Sequence, residues 1–137
     1  MMSKYHFRGK RLDNGEWVDG FYCKHNTVKT CLASDDPEPK HLIIMDGFCD
    51  WGFEPPLQGV EVDPVTVGQY TGASDKNDRR IFEGDIVRHN DKIYVISYIP
   101  KYARFAGTTS GIVMAIFLFS ACEVIGNIHD NPDLLVR

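Results

Sequence analysis

Short apolar runs closed by Gly, Asn, Asp or Pro recur along the chain. That pattern predicts strands joined by turns. Tyr5-His6-Phe7-Arg8 and Trp17-Val18-Asp19-Gly20-Phe21-Tyr22 flank Asp13-Asn14-Gly15. Asn-Gly accepts the positive φ of a two-residue type I′ turn, so a first hairpin is predicted here. Residues 24–41 are polar and include Ser34-Asp35-Asp36-Pro37-Glu38-Pro39, a poor strand and a poor helix, hence a loop. His41–Met45 reads as a short strand. Residues 48–60, aromatic and Pro-rich, read as an irregular packed loop.

From Asp63-Pro64 onward the same grammar resumes. Val65–Tyr70 reads as a β-branched strand and Gly72–Asp78 as a turn. Ile81-Phe82 leads to Glu83-Gly84-Asp85-Ile86-Val87-Arg88. His89-Asn90-Asp91-Lys92 then turns the chain into Ile93–Tyr98, a second hairpin stopped by Pro100. Lys101–Gly111 reads as a polar and aromatic loop. Ile112–Phe119, the most apolar stretch, is expected to be a strand buried on both faces. Cys122–Ile128 forms a last strand. Asn131-Pro132-Asp133 signals a helix start, with Asn as the cap and Pro at the first helical position; the few residues that follow allow one turn.

The expected fold is therefore mainly β: a small barrel or sandwich built from hairpins, with at most one short C-terminal helical turn. It is read as one domain, 1–137, with possible sub-regions 1–62 and 63–137. Trp17–Lys24 and Ile81–Arg88 echo one another, each reading apolar, apolar, acid, Gly, variable, apolar, apolar, basic. The echo raises duplication of a small barrel as one origin of the two halves, and shared strand–turn–strand grammar as the other. Glu83-Gly84-Asp85-Ile86-Val87 also resembles the strand entry of SH3-like barrels, where Gly tolerates the bend and Asp bonds nearby backbone N–H groups.

Composition narrows the function classes. With 43% hydrophobic and 25% charged residues over 137 positions, a core can form without disulfides or metal. The net charge of −4 is concentrated in residues 1–68, with 7 basic and 11 acidic side chains; residues 69–137 carry 8 of each. A duplex-binding domain would be strongly basic. The longest apolar run, Ile112–Ala121, is far short of the ~20 residues of a membrane helix. Met1–Lys10 has no apolar stretch of the secretory kind, so a cytoplasmic location is expected, with no membrane partner. Cys23, Cys31, Cys49 and Cys122 form no C-x-x-C pair. Cys23 and His25 with Cys31, His41 and Cys49 make only a loose cluster. Free thiols acting as small buried hydrophobes are the expectation, with no metal and no cofactor.

Catalytic signatures are sparse. Glu83 and Asp85 lie on one face of a strand but are explained by turn chemistry. His129-Asp130 lacks the further ligands a metal site needs. Ser110 stands in no G-x-S-x-G elbow, and no Gly-rich phosphate loop occurs. The chain is expected to be non-enzymatic. Its most suggestive segment is Tyr98–Phe105, where Tyr98, Tyr102 and Phe105 interleave with Lys101 and Arg104. Arg79 and Arg80, with Arg88 and Lys92, lie near in sequence and could widen a basic patch. Rings beside cations suit a protein interface or single-stranded nucleic acid; equally, the rings could pin the loop to the fold. At least one ring should be partly exposed.

Three stretches together resemble the YopX family, small proteins of phages and prophages of Gram-positive bacteria. They are Phe7-Arg8-Gly9-Lys10 with Asn14-Gly15-Glu16-Trp17-Val18; Val67–Gly72 through Asp75-Lys76-Asn77 to Ile81-Phe82-Glu83-Gly84-Asp85-Ile86-Val87; and Glu123–Pro132. Asp78 stands where the pattern tends to have Gly. The resemblance implies a mostly-β fold and a phage or prophage origin, and it supplies no catalytic residues. The function expected is that of an accessory protein binding a macromolecule, first of all a protein. Single-stranded nucleic acid is the alternative, and an enzyme with an unrecognised site the least favoured reading. A homo-oligomer is compatible with the sequence.

Overall fold

The first hairpin forms where the apolar pattern places it. In the computed structural model, which describes residues 6–26, 38–46 and 57–135, β1 (Phe7–Lys10) pairs antiparallel with β2 (Trp17–His25), with Phe7 opposite Gly20 and Lys10 opposite Trp17. The connection is longer than a two-residue turn. Arg11 N–H donates to Glu16 O at 2.9 Å, and Gly15, at φ 73°, donates to Arg11 O at 3.0 Å. Asn14 instead spends its side chain on the Glu16 N–H, 2.9 Å away. An Asx-type bond thus displaces the expected type I′ turn.

β3 (Lys40–Asp46) pairs with β2, and β4 (Leu57–Glu61) with β3. β4 replaces the end of the expected irregular loop. Gly20 sits in mid-strand where a Cβ would lie 2.3 Å from the Ile44 carbonyl oxygen, so β2 and β3 approach closely only because Gly is there. Asp63 caps a 3-10 turn, Pro64–Thr66, by accepting from Val65 N–H at 3.1 Å. Val65 and Thr66 are therefore not strand residues, and the next strand starts at Gly68. Backbone contacts divide the chain at this point into two compact units, Tyr5–Val67 and Gly68–Arg137.

The second unit contains a hairpin, β5 (Gly68–Ser74) with β6 (Arg80–Phe82), and an antiparallel sheet ordered β10-β9-β8-β7-β11. Its strands are β7 (Asp85–His89), β8 (Lys92–Ile99), β9 (Arg104–Thr109), β10 (Ile112–Met114) and β11 (Glu123–Asn127). This order has two ends, so the sheet is open rather than closed into a barrel. Asn90 and Asp91 take φ 50° and 65° between β7 and β8. That is the left-handed pair a type I′ hairpin turn requires, and it forms where the sequence places the second hairpin.

The most apolar segment corrects the sequence reading. Only Ile112–Met114 is strand; Ile116–Ala121 is a 3-10 turn. With three residues per turn, positions 116, 119 and 122 share one face. Phe119 and Cys122 are fully buried and Ile116 packs against the core beside them, whereas Phe117 stays 76% exposed. These residues close a core of Ile81, Val87, Tyr94, Ile96, Met114 and Val124. Arg104–Thr109, expected as loop, is the strand β9. The fold is mainly β, with 3-10 turns also at Pro100–Tyr102 and Pro132–Leu135. The latter is the expected C-terminal turn behind Asn131 and Pro132.

The echo between Trp17–Lys24 and Ile81–Arg88 is not a structural repeat. The first segment is one continuous strand with Gly20 in its middle. The second is strand, turn, strand, with Gly84 at φ 91° in the turn. Gly84 N–H donates to Ile96 O and its carbonyl accepts from Ile128 N–H, while Asp85 Oδ2 accepts from Phe82 N–H at 2.8 Å. A Cβ at Gly84 would meet its nearest neighbour at 3.6 Å, so space is not the constraint; φ is. Gly84→Val is expected to destabilise the chain by about 1–3 kcal/mol through backbone strain. An unchanged melting temperature would contradict the turn's role.

Candidate functional site

Pro100 has no N–H to extend the ladder, so β8 ends there and a 3-10 turn, Pro100–Tyr102, begins. Ala103 takes the left-handed conformation at φ 51° and donates to Pro100 O at 3.1 Å, which reverses the chain into β9. The resulting register sets Tyr98 opposite Phe105 and Ile99 opposite Arg104. The Tyr98 and Phe105 rings meet edge-on with centroids 5.3 Å apart. Phe105 packs inward against the core and anchors the tip. Tyr98 remains 44% exposed and Tyr102 51%.

Around Tyr102 the charge is one-sided. The Arg104 guanidinium lies 5.1 Å and the Lys101 ammonium 5.6 Å from its ring centroid, within reach of the ring's negative face. Among the described residues neither cation is in an ion pair. The tip therefore presents exposed rings and uncompensated positive charge together.

The other basic residues of the expected patch sit on other elements. Arg79 and Arg80 lie on the β5–β6 hairpin, whose strands do not neighbour β8 or β9. Arg79 N–H donates to Asp75, and the Arg80 guanidinium lies 5.8 Å from the Phe82 ring centroid. Arg88 is committed to Glu123 at 2.7 Å. That hydrogen bond, helped by the charge of Lys76, holds the Glu123 carboxyl below its ordinary value.

Sequence reasoning missed Asp75. Its buried carboxylate accepts from Asn77 N–H at 2.9 Å, Arg79 N–H at 2.8 Å and Val124 N–H at 3.0 Å, tying the β5–β6 turn to β11. Burial opposes its ionisation most strongly. The three backbone donors and the Arg79 charge outweigh that and hold the carboxyl below its ordinary range. The Asp75-x-Asn77 spacing carries an Asx-turn signal that marks the local half of this arrangement. Cys122 nearby is pushed up by burial and by the Asp75 charge, which keeps it a neutral core thiol. Cys23, by contrast, is exposed, against the expectation of burial, while Cys31 and Cys49 lie outside the described residues.

No group of three or more His, Cys, Asp or Glu side chains is placed to hold a metal ion among the described residues. Among the same residues no helix is long and apolar enough to cross a membrane.

What is defined is a mainly-β protein with an aromatic and cationic hairpin tip on its second sheet. The chain belongs to the family described as YopX protein, whose model matches residues 6–136. No curated protein matches the chain.

Proposed function

We propose that this chain is a non-enzymatic accessory protein of a phage or prophage. It works in the cytoplasm of the infected or lysogenic bacterial host as a protein-interaction module. The observation that carries the reading is the β8–β9 tip: Tyr98 and Tyr102 about half exposed, with Lys101 and Arg104 against the Tyr102 ring. Exposed Tyr beside Arg is the composition of interface hot spots. The local positive charge selects an acidic partner surface, while the net −4 steers the chain away from duplex nucleic acid. Kinship with SH3-like modules is supported by the Glu83-Gly84-Asp85 strand entry and its left-handed Gly84.

The same rings favour a second reading, stacking of single-stranded bases. Titrating short single-stranded oligonucleotides at increasing salt separates the two. Weak binding with a shallow slope is expected, because two cations, Lys101 and Arg104, lie against the Tyr102 ring. Tight binding with a steep slope, lost in a Tyr102→Ala/Arg104→Ala variant, would replace the protein-interaction reading with the nucleic-acid one.

A further inference from the structure

We infer that β10 is a self-association seam, at which a second copy of this chain adds its own β10 antiparallel across a two-fold axis. β10 ends the sheet, and among the described residues no strand pairs with its outer side. Ser110 and Gly111, at φ 36° and 84°, make a two-residue turn that closes the Thr109–Ile112 pair. In a hairpin of this kind the closing pair exchanges hydrogen bonds and the next pair does not. Val113, opposite Thr108, therefore directs its N–H and C=O away from β9. An edge strand of this kind is a template for another strand, and pairing Val113 with Val113 of the partner satisfies the same two groups on both chains.

The side chains suit that occupant. Ile112 is 45% and Val113 47% exposed, one on each face of the edge strand, and Phe117, three residues beyond the strand, is 76% exposed. Natural edges are commonly guarded by lysine or another charge; here residues 105–122 contain no charged side chain, and the charges that line the pocket beside Ile112, Asp91 and Lys92, are of opposite sign. Two copies each carrying −4 repel wherever their charged surfaces meet, and this neutral segment lets them approach without placing like charges together. An isologous contact also closes on itself, so it yields a dimer and not a fibre. A three-residue seam falls below the size of a permanent interface, so the dimer is weak.

Sedimentation equilibrium of the full chain tests this. A monomer–dimer equilibrium with a dissociation constant between about 10 µM and 1 mM is expected. Rising salt should strengthen it or leave it unchanged, since screening relieves the repulsion between copies. Val113→Lys and, separately, Phe117→Ser should each weaken the dimer about tenfold or more. Both positions are exposed, and the melting temperature in dilute solution should stay near that of the unaltered chain. Tyr102→Ala/Arg104→Ala should leave the dimer intact, so this seam and the β8–β9 tip stand or fall separately. A chain still monomeric at about 1 mM, assemblies larger than a dimer, weakening by salt, or dimers that survive both seam variants would each overturn the inference.

Discussion

Phe119→Ala is expected to lower stability by about 3–5 kcal/mol, the range for truncating a buried Phe. Phe119 is fully buried among Met114, Cys122 and the strand residues of the second unit's core. It arrives there from a 3-10 turn, so two things are lost together. The core loses a ring's worth of apolar burial, and the turn loses the side chain that holds it to the sheet. Phe119→Leu keeps most of the volume and should cost markedly less. Phe117→Ala, two positions earlier on the exposed face, should cost little. Urea unfolding of the three variants checks the order. Equal losses at 117 and 119 would mean that the segment is a strand, which puts both residues on one covered face, and not a 3-10 turn.

Asp75→Ala should cost about 3 kcal/mol, at roughly 1 kcal/mol for each of the backbone donors it orphans at Asn77, Arg79 and Val124. The pH dependence has a definite sign. A carboxyl held below its ordinary value contributes stability that is fully present above the unfolded-state value, about 3.9. That contribution is lost as pH falls through the lower, folded value. The gap between the unaltered chain and Asp75→Ala should therefore be constant at neutral pH and narrow in acid. Unfolding curves at pH 7 and below pH 4 measure it. A gap that widens in acid would mean that the carboxylate is not what Asn77, Arg79 and Val124 hold.

These two positions show what the residues disclose in advance. Turn chemistry is local, so Asn90-Asp91 and Asn131-Pro132 could be read directly. An apolar run has no such address. Ile112–Phe119 supports a strand or a 3-10 turn equally well, and Met114 and Phe119 enter the same core from different elements. β4 and β9 were hidden because Gly59 and Gly107 dilute their β propensity and their partners, β3 and β8, supply the ladder. At Gly107 a Cβ would lie 3.1 Å from Tyr94 Cβ and 2.8 Å from Met114 Cε; the Met terminus can swing aside but Tyr94 Cβ cannot, so the residue that weakens the strand signal also fits a tight place. Asp75 was half legible, through Asn77, and half not, because Val124 is distant in sequence. At the tip, composition revealed the rings and cations. It could not tell that Phe105 faces inward while Tyr98 and Tyr102 stay open, nor that Arg79 and Arg80 belong to another hairpin.

On the function proposed above, the β8–β9 tip engages a protein partner. The most direct measurement is affinity capture from host extract with the unaltered chain and with Tyr102→Ala/Arg104→Ala, alongside the melting temperature of each. Both substituted side chains are exposed at the tip, so the variant should melt near the unaltered chain while losing the captured partner, because truncation at a hot spot can cost about 2 kcal/mol or more of binding. A variant that captures the partner undiminished, or one whose melting temperature collapses, would contradict the account and make the tip a structural feature.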